Sequence, residues 1–290
     1  MNAKAPIFVV FLMTALHAYA VESHIFQARF YANESQPYTL IQTHFDLRNG
    51  DTIRMERLTM QLDVQVSDSN AMGYQMDWML SDFKLSTGSS ILHSLVSHST
   101  TAHVRYWINR YGVFAEFLDW SPLNHCFDSA MVQTLLPYTN RSDSAALLEV
   151  QRVTAFVQAF APTVLRSVHL FHQVYGLGYT LQETVDVPTT IQGLTGDTEI
   201  EGIVRKKLIA IDAETDVAVL STATIPDSTQ WIHFLQQQTI PYYQPLILGG
   251  FVADRSSGWP YYVVENRSYE LNAWQSGEML EVRHQQYIQE

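Results

Sequence analysis

From Tyr38 the chain alternates, with Ile41, Thr43, Phe45 and Leu47 in one phase and Gln42, His44, Asp46 and Arg48 in the other. A period of two is the signature of a half-buried strand. Asn49-Gly50-Asp51 then marks a tight turn. In the strand that follows, Ile53 and Met55 hold one phase while Leu58, Met60, Leu62, Val64 and Val66 hold the other, and a bulge near Glu56-Arg57 accounts for the slip. After the polar turn Ser67-Asp68-Ser69-Asn70, Met72, Tyr74, Met76, Trp78 and Leu80 alternate with Gln75, Asp77 and Met79. Three such strands in succession predict an antiparallel meander. Residues 86–99 are rich in Ser and Thr but carry Ile91, Leu92, Leu95 and Val96 at helical spacing, which predicts a loop containing a short helix. Val104, Tyr106 and Ile108 make a strand that turns at Asn109-Arg110-Tyr111-Gly112 into Val113, Ala115 and Phe117. Residues 124–136 fit a helix that Pro137 stops.

The period then changes. Ser142-Asp143-Ser144 supplies side-chain oxygens to cap a helix, and residues 145–161 contain only two charges, Glu149 and Arg152. Pro162 has a fixed φ and no N–H, so it predicts two helices that meet there. Val164, Val168, Phe171 and Tyr175, with Leu165 beside them, form an apolar stripe, and Gly176 stands where a C-terminal glycine is expected. Beyond it strands resume at 179–187, 202–211 and 217–225, the last two joined by the turn Asp212-Ala213-Glu214-Thr215-Asp216. Residues 229–238 fit either period, and alternation returns at 261–271 and 278–288. Strands, then helices, then strands predict an α+β fold: a large curved antiparallel sheet, half-barrel-like, with the central helical segment packed on one face.

Composition and ends refine this picture. Lys4, the apolar run 7–16 and Ala18-Tyr19-Ala20 read as a signal peptide over residues 1–20, leaving 21–290 as one β-rich domain. The apolar run is shorter than the roughly 20 residues that span a bilayer, which favours a cleaved leader over an anchor and predicts no transmembrane span afterwards. Export implies a periplasmic or extracellular location. The lone cysteine, Cys126, allows no intramolecular disulfide, so core packing alone must hold the fold. With 47% hydrophobic residues in 290, that core can be large. A formal net charge of −12 argues against nucleic acid as a partner. The basic run Arg205-Lys206-Lys207 reads as a solvated strand face.

Reactive constellations are sparse. His169 and His172 share a helix face and suit one metal ion, but no third ligand is nominated, so the pair reads as one buried histidine and one exposed, with no metal and no cofactor expected. Asp212, Glu214 and Asp216 suit a hairpin turn better than a calcium loop. Cys126 beside His125 reads as a buried thiol, since adjacent side chains point in different directions. No G-x-S-x-G, H-E-x-x-H, P-loop or G-x-G-x-x-G occurs, so no catalytic residue is assigned.

Large apolar groups are abundant, with 14 Phe, 15 Tyr, 6 Trp and 9 Met. They read as core and sheet surface, or as a concave wall for a lipid or other hydrophobic molecule. The element order, together with Phe171-His172-Gln173-Val174-Tyr175-Gly176 and Ser257-Gly258-Trp259-Pro260, resembles exported bacterial proteins of uncharacterised function. Their sheet curves around helices as in the lipoprotein carrier LolA. The resemblance carries over no binding residue; the first reading of the apolar residues themselves is a non-enzymatic protein that holds a hydrophobic ligand between sheet and helices, with Met76, Trp78, Val164, Val168, Phe171 and Tyr175 as the expected ligand-contacting residues. An envelope structural or interaction protein with a self-filled core is the alternative, and a hydrolase the third reading.

Overall fold

The computed structural model describes residues 23–49, 51–138, 143–192, 199–238, 245–273 and 278–289. The expected leader, 1–20, lies outside them. The first half contributes strands β1 (Ser23–Ile25), β2 (Ser35–Arg48), β3 (Asp51–Asn70), β4 (Gly73–Ser86), β5 (Ala102–Asn109) and β6 (Phe114–Asp119). The second contributes β7 (Gly178–Thr180), β8 (Thr184–Gln192), β9 (Glu199–Asp212), β10 (Val217–Pro226), β11 (Pro245–Asp254), β12 (Pro260–Ala273) and β13 (Glu278–Gln289). Eleven of these form one antiparallel sheet in the order β6-β5-β4-β3-β2-β13-β12-β11-β10-β9-β8, and β1 pairs with β7 apart from it. Each half is a meander, and the halves join where β13 pairs with β2. The sheet is curved and not closed into a barrel, with β6 and β8 as its edges, so the expected α+β trough is what this sequence forms.

One continuous helix, Ser144–His172, lies on the inner side of the trough, with Asp143 accepting a hydrogen bond from the Ala146 N–H at 2.9 Å as its N-cap. The expected break at Pro162 does not occur. The proline is exposed, the Thr163 hydroxyl donates to the Ala159 carbonyl at 2.6 Å beside it, and buried residues on both sides of it, Val153, Phe160, Val164 and Phe171, belong to one core. Burying four such side chains stabilises the helix by roughly 1.5–3 kcal/mol each, which outweighs the ~3 kcal/mol penalty of an interior proline. At the other end Lys206 of β9 donates to the carbonyl of Gln173, the helix C-cap, where a cation meets the negative end of the helix dipole. Of the basic run, Arg205 is exposed and paired with Asp186, whereas Lys206 is 6% exposed, and burial lowers its pKa to about 8.

Smaller helices complete the inner layer. Ser90–Ser97, capped by Ser89, buries Ile91, Leu92, Leu95 and Val96 as the spacing predicts. The segment expected as one helix before Pro137 is divided into Ser121–His125, Asp128–Leu135 and a 3₁₀ turn, Leu136–Tyr138. Ser228–Gln238, of ambiguous period, is helical.

Two strand expectations are corrected. The phase slip in β3 does not need a bulge at Glu56-Arg57. The irregularity falls instead where Asp46 pairs with Arg54 and Leu47 with Thr52, and Ile53 and Met55 simply face outward, 57% and 48% exposed. The inner phase therefore runs from Arg54 and Glu56 into Leu58, Met60 and Leu62. Strand β11 has no sequence-level counterpart, because Gly249-Gly250 interrupts its pattern. Gly249 is required there: a Cβ would lie 2.3 Å from the Thr222 hydroxyl and 2.8 Å from the Val264 carbonyl.

The turns after β3, β5, β9 and β11 and the C-terminus of the long helix gather at one end of the trough, and residues 26–34 plug it. Ala28 N–H donates to Tyr111, Arg29 N–H to Ser257, Asn33 N–H to Val66, and Gly176 N–H to Phe26. Phe30 stacks on Trp259 at 4.2 Å, and the Trp259 indole donates to Glu34 at 2.8 Å. Gly258, at φ +85°, allows the turn to approach this plug, since a Cβ would meet the Gln27 carbonyl at 2.6 Å.

Candidate functional site

The six residues expected to touch a ligand are brought together, but as closed core. Met76, Trp78, Val164, Val168 and Phe171 are 0% exposed and Tyr175 is 2% exposed. Phe171 sits edge-on to Trp78 at 5.4 Å and to Tyr38 at 5.5 Å, and Tyr175 to Phe251 at 6.0 Å. None of the six lines either of the open cavities described below. A ligand would have to displace this packing to reach them, and each large side chain contributes roughly 1.5–3 kcal/mol by its burial.

His172 is part of that core. Its Nδ1 faces the Gly112 carbonyl at 3.0 Å, which can only accept, so Nδ1 carries the hydrogen and Nε2 accepts from the Tyr106 hydroxyl at 2.9 Å. Burial pulls its pKa down to about 3, and it is a neutral structural group. His169, one turn earlier, is exposed and packs on Phe114 at 4.4 Å.

Open space lies beside the helix, along residues 152–166 on one side and 158–173 on the other. A cavity of about 710 Å³ separates the helix from the sheet on one side and another of about 870 Å³ on the other, and both touch Pro162, Arg166, Glu265 and Arg267. The first falls within the ~300–1,000 Å³ range of small-molecule sites. The helix lines it with an apolar stretch, Ala155, Phe156, Ala159 and Phe160, between Arg152 and Arg166, and Leu58, Leu85 and Leu92 adjoin that stretch. Its sheet wall is polar: Gln42, His44, Glu56, Glu265, Arg267 and Gln286.

Strand register explains that wall. One cross-strand row reads Leu208, Leu220, Phe251, Val263, Ile288, Leu40 and Met60, all buried. The next inner row, two residues along each strand, reads Lys206, Thr222, Gly249, Glu265, Gln286 and Gln42 before returning to Leu58. A third row places Arg267, His44 and Glu56 across the same strands. The apolar floor thus gives way to a polar belt across the sheet, and the cavities open over that belt. Missing this belt at the sequence level has a simple cause: each strand donates only one or two of its members.

Within the belt one carboxylate holds two guanidiniums. Glu265 accepts from Arg166 Nε and Nη2 at 3.1 and 2.9 Å through Oε1 and at 2.7 Å through Oε2, and from Arg267 Nε at 2.7 Å. Glu265 is 9% exposed in its side chain, Arg267 16% and Arg166 36%, so two guanidiniums share one carboxylate with Arg267 the more shielded of them. The Arg267 hydrogen bond to Glu265 runs through Nε, so that carboxylate does not take up its two terminal nitrogens. Gln286 donates to the Ser167 hydroxyl, which itself donates to the Thr163 carbonyl at 3.0 Å and ties the belt to the helix. Arg54 and Arg152 also line the first cavity, paired with Glu56 and Glu149 at 2.8 Å.

Elsewhere the chemistry is quiet. The Cys126 thiol is buried, donates to the Leu123 carbonyl at 3.3 Å, and is pushed up to about 12 by desolvation, which disfavours the thiolate. The Ser97 hydroxyl lies 3.3 Å from His98 Nδ1, but that nitrogen is 2.7 Å from the Ser94 carbonyl, which leaves it no capacity as a base. Asp212 caps its own turn, accepting from Glu214 and Thr215. Among the described residues no cluster of three or more His, Cys, Asp or Glu could hold a metal ion, and no helix is long and apolar enough to cross a membrane.

Fold and site together define an open antiparallel trough with one long helix on its inner side and an open cavity on each side of that helix. No protein-family model and no curated protein matches the chain. A solved structure titled for lipid–protein interactions in lipovitellin is similar over 90% of this chain, at 8% identity and a TM-score of 0.49. This chain spans 25% of that one, and a likeness so low bears on neither ligand nor residue roles.

Proposed function

We propose that this protein is an exported, non-enzymatic carrier, periplasmic or extracellular, that holds a lipid or similar hydrophobic molecule between its sheet and its long helix. The observation that supports this reading is the 710 Å³ cavity, walled by Ala155, Phe156, Ala159 and Phe160, in a trough whose other half is fully packed. The leader-like residues 1–20 support export. The seat of the ligand moves accordingly, from the Met76–Tyr175 core to the space over the polar belt.

Native mass spectrometry of protein purified from its own compartment tests the reading. A bound lipid should accompany the wild-type chain and be lost from Ala159→Trp, which fills the cavity from the helix side while leaving the packed half intact. A wild-type protein that is dry in every preparation, and that takes up no lipid when incubated with vesicles, overturns it. The envelope structural or interaction reading then gains, supported by the self-filled core around Phe171 and by the open strand edges of β6 and β8.

A further inference from the structure

We infer that the ligand of this cavity is a single-chain amphiphile with an anionic head, a carboxylate or a phosphate, bound by Arg267 and Arg166; this rests on reading the cavity as a ligand site. Four guanidiniums, Arg54, Arg152, Arg166 and Arg267, line the first cavity, in a chain whose net charge is −12. Glu56 and Glu265 are the two carboxylates among that lining. Arg54 and Arg152 each have a carboxylate of their own, whereas Arg166 and Arg267 share Glu265. A shielded cation without its own counter-ion is an unfavourable arrangement unless a further anion joins it. The terminal nitrogens of Arg267 supply the planar fork that carboxylates and phosphates match.

Neutral groups complete the anchor. Along the same inner row Gln286 stands next to Glu265 and Gln42 next to Gln286, and the Gln42 amide nitrogen, without a hydrogen-bond partner among the described residues, is a donor for the head group's remaining oxygens. The apolar wall supplies the tail with Phe156, Phe160 and Leu92. Head and tail chemistry therefore lie within one cavity, with Arg166 of the helix and Arg267 of the sheet meeting at Glu265.

The experiment compares dodecanoate, dodecanol and inorganic phosphate by calorimetric titration of the full chain stripped of bound lipid, each amphiphile below its micellar concentration. Wild-type protein should bind dodecanoate at least tenfold more tightly than dodecanol. Arg267→Gln should abolish that preference, and Arg267→Lys should restore part of it. Arg267→Gln leaves the Arg166–Glu265 pair in place, and a melting curve matching wild type shows that the fold has survived. If the melt shifts, the same comparison is made in wild-type protein with dodecyltrimethylammonium as the probe, which should bind at least tenfold more weakly than dodecanol. Equal affinity for dodecanoate and dodecanol overturns the anionic head and leaves the carrier reading standing. Phosphate binding without either amphiphile overturns the amphiphile and the carrier together, and so does no binding at all.

Discussion

The two halves of the trough are built from the same strands and the same helix, yet one is closed and the other is not. Toward the C-terminus of the helix, Trp78, Tyr106, Phe171 and Tyr175 interlock and residues 26–34 seal the end. Tyr106 pairs with His172 and Tyr175 donates its hydroxyl to the Gly258 carbonyl, while the buried Trp78 indole N–H has no hydrogen-bond partner among the described residues. Toward the N-terminus of the helix, the same inner face presents Gln42, Glu56, Glu265 and Arg267, and Ala155 and Ala159 stand where larger side chains would fill the gap. The difference teaches that the closed half carries stability, while the open half keeps charged groups that packing alone does not explain.

The largest expected effect tests the closed half. Phe171→Ala should destabilise the protein by about 4 kcal/mol, as large-to-small changes at fully buried aromatics do. Phe156→Ala, in the cavity wall, should cost about 1 kcal/mol. Denaturant unfolding of both variants checks this, and equal losses would erase the distinction between the halves.

Acid should act through the closed half as well. Folded His172 takes up its proton only near pH 3, while an unfolded imidazole does so near 6.5, so between those values the unfolded chain binds one more proton. The contribution is complete above pH 6.5 and is lost as pH falls, at about 1.4 kcal/mol per unit, which makes roughly 3 kcal/mol by pH 4.5. Unfolding midpoints at pH 7 and 4.5 should therefore differ more for wild type than for His172→Asn, and parallel losses would remove His172 as the sensitive group.

In the open half, Glu265→Gln leaves Arg166 and Arg267 without their shared counter-charge. Because Arg166 is 36% exposed, the loss should be about 2 kcal/mol, below the 3–5 of a fully buried pair. Added salt or phosphate should recover part of it, as thermal melts would reveal; a neutral effect would mean the cluster is already screened by water.

The smallest effect has the opposite sign. Pro162→Ala returns a backbone donor to the helix at an exposed position and should stabilise it by about 1 kcal/mol. Since Pro162 touches both cavities, bound lipid measured by mass spectrometry should fall at the same time. A gain in stability with unchanged lipid would separate the proline from the cavity.

Much of the frame was legible along the chain. The alternation of Met76, Trp78 and Leu80 gave their burial, the spacing of Ile91, Leu92, Leu95 and Val96 gave a short helix, and Asp143 before a run with two charges gave the start of the long one. Pro162 misled, because a local backbone rule was outweighed by packing on both of its sides. Ile53 and Met55 misled in another way: apolar residues on the outer face drew the phase away from Arg54 and Glu56, the inward pair that matters to the cavity. The six residues expected to touch a ligand pack against one another, and the open space lies elsewhere, since the most hydrophobic side chains meet first and leave no room among them.

Sequence by itself determined the periods, hence which segments are strands and helix, and which side chains are apolar enough to seek the core. Those are properties of neighbours two to four residues apart. Tertiary structure alone decided that β13 would lie against β2, and with that pairing Glu265, Gln286 and Gln42 fell into one row. Residues 42 and 286 are at opposite ends of the chain, and no local pattern records their meeting. A polar belt under a helix, and the cavity above it, exist only once register has been set between strands that the sequence holds far apart.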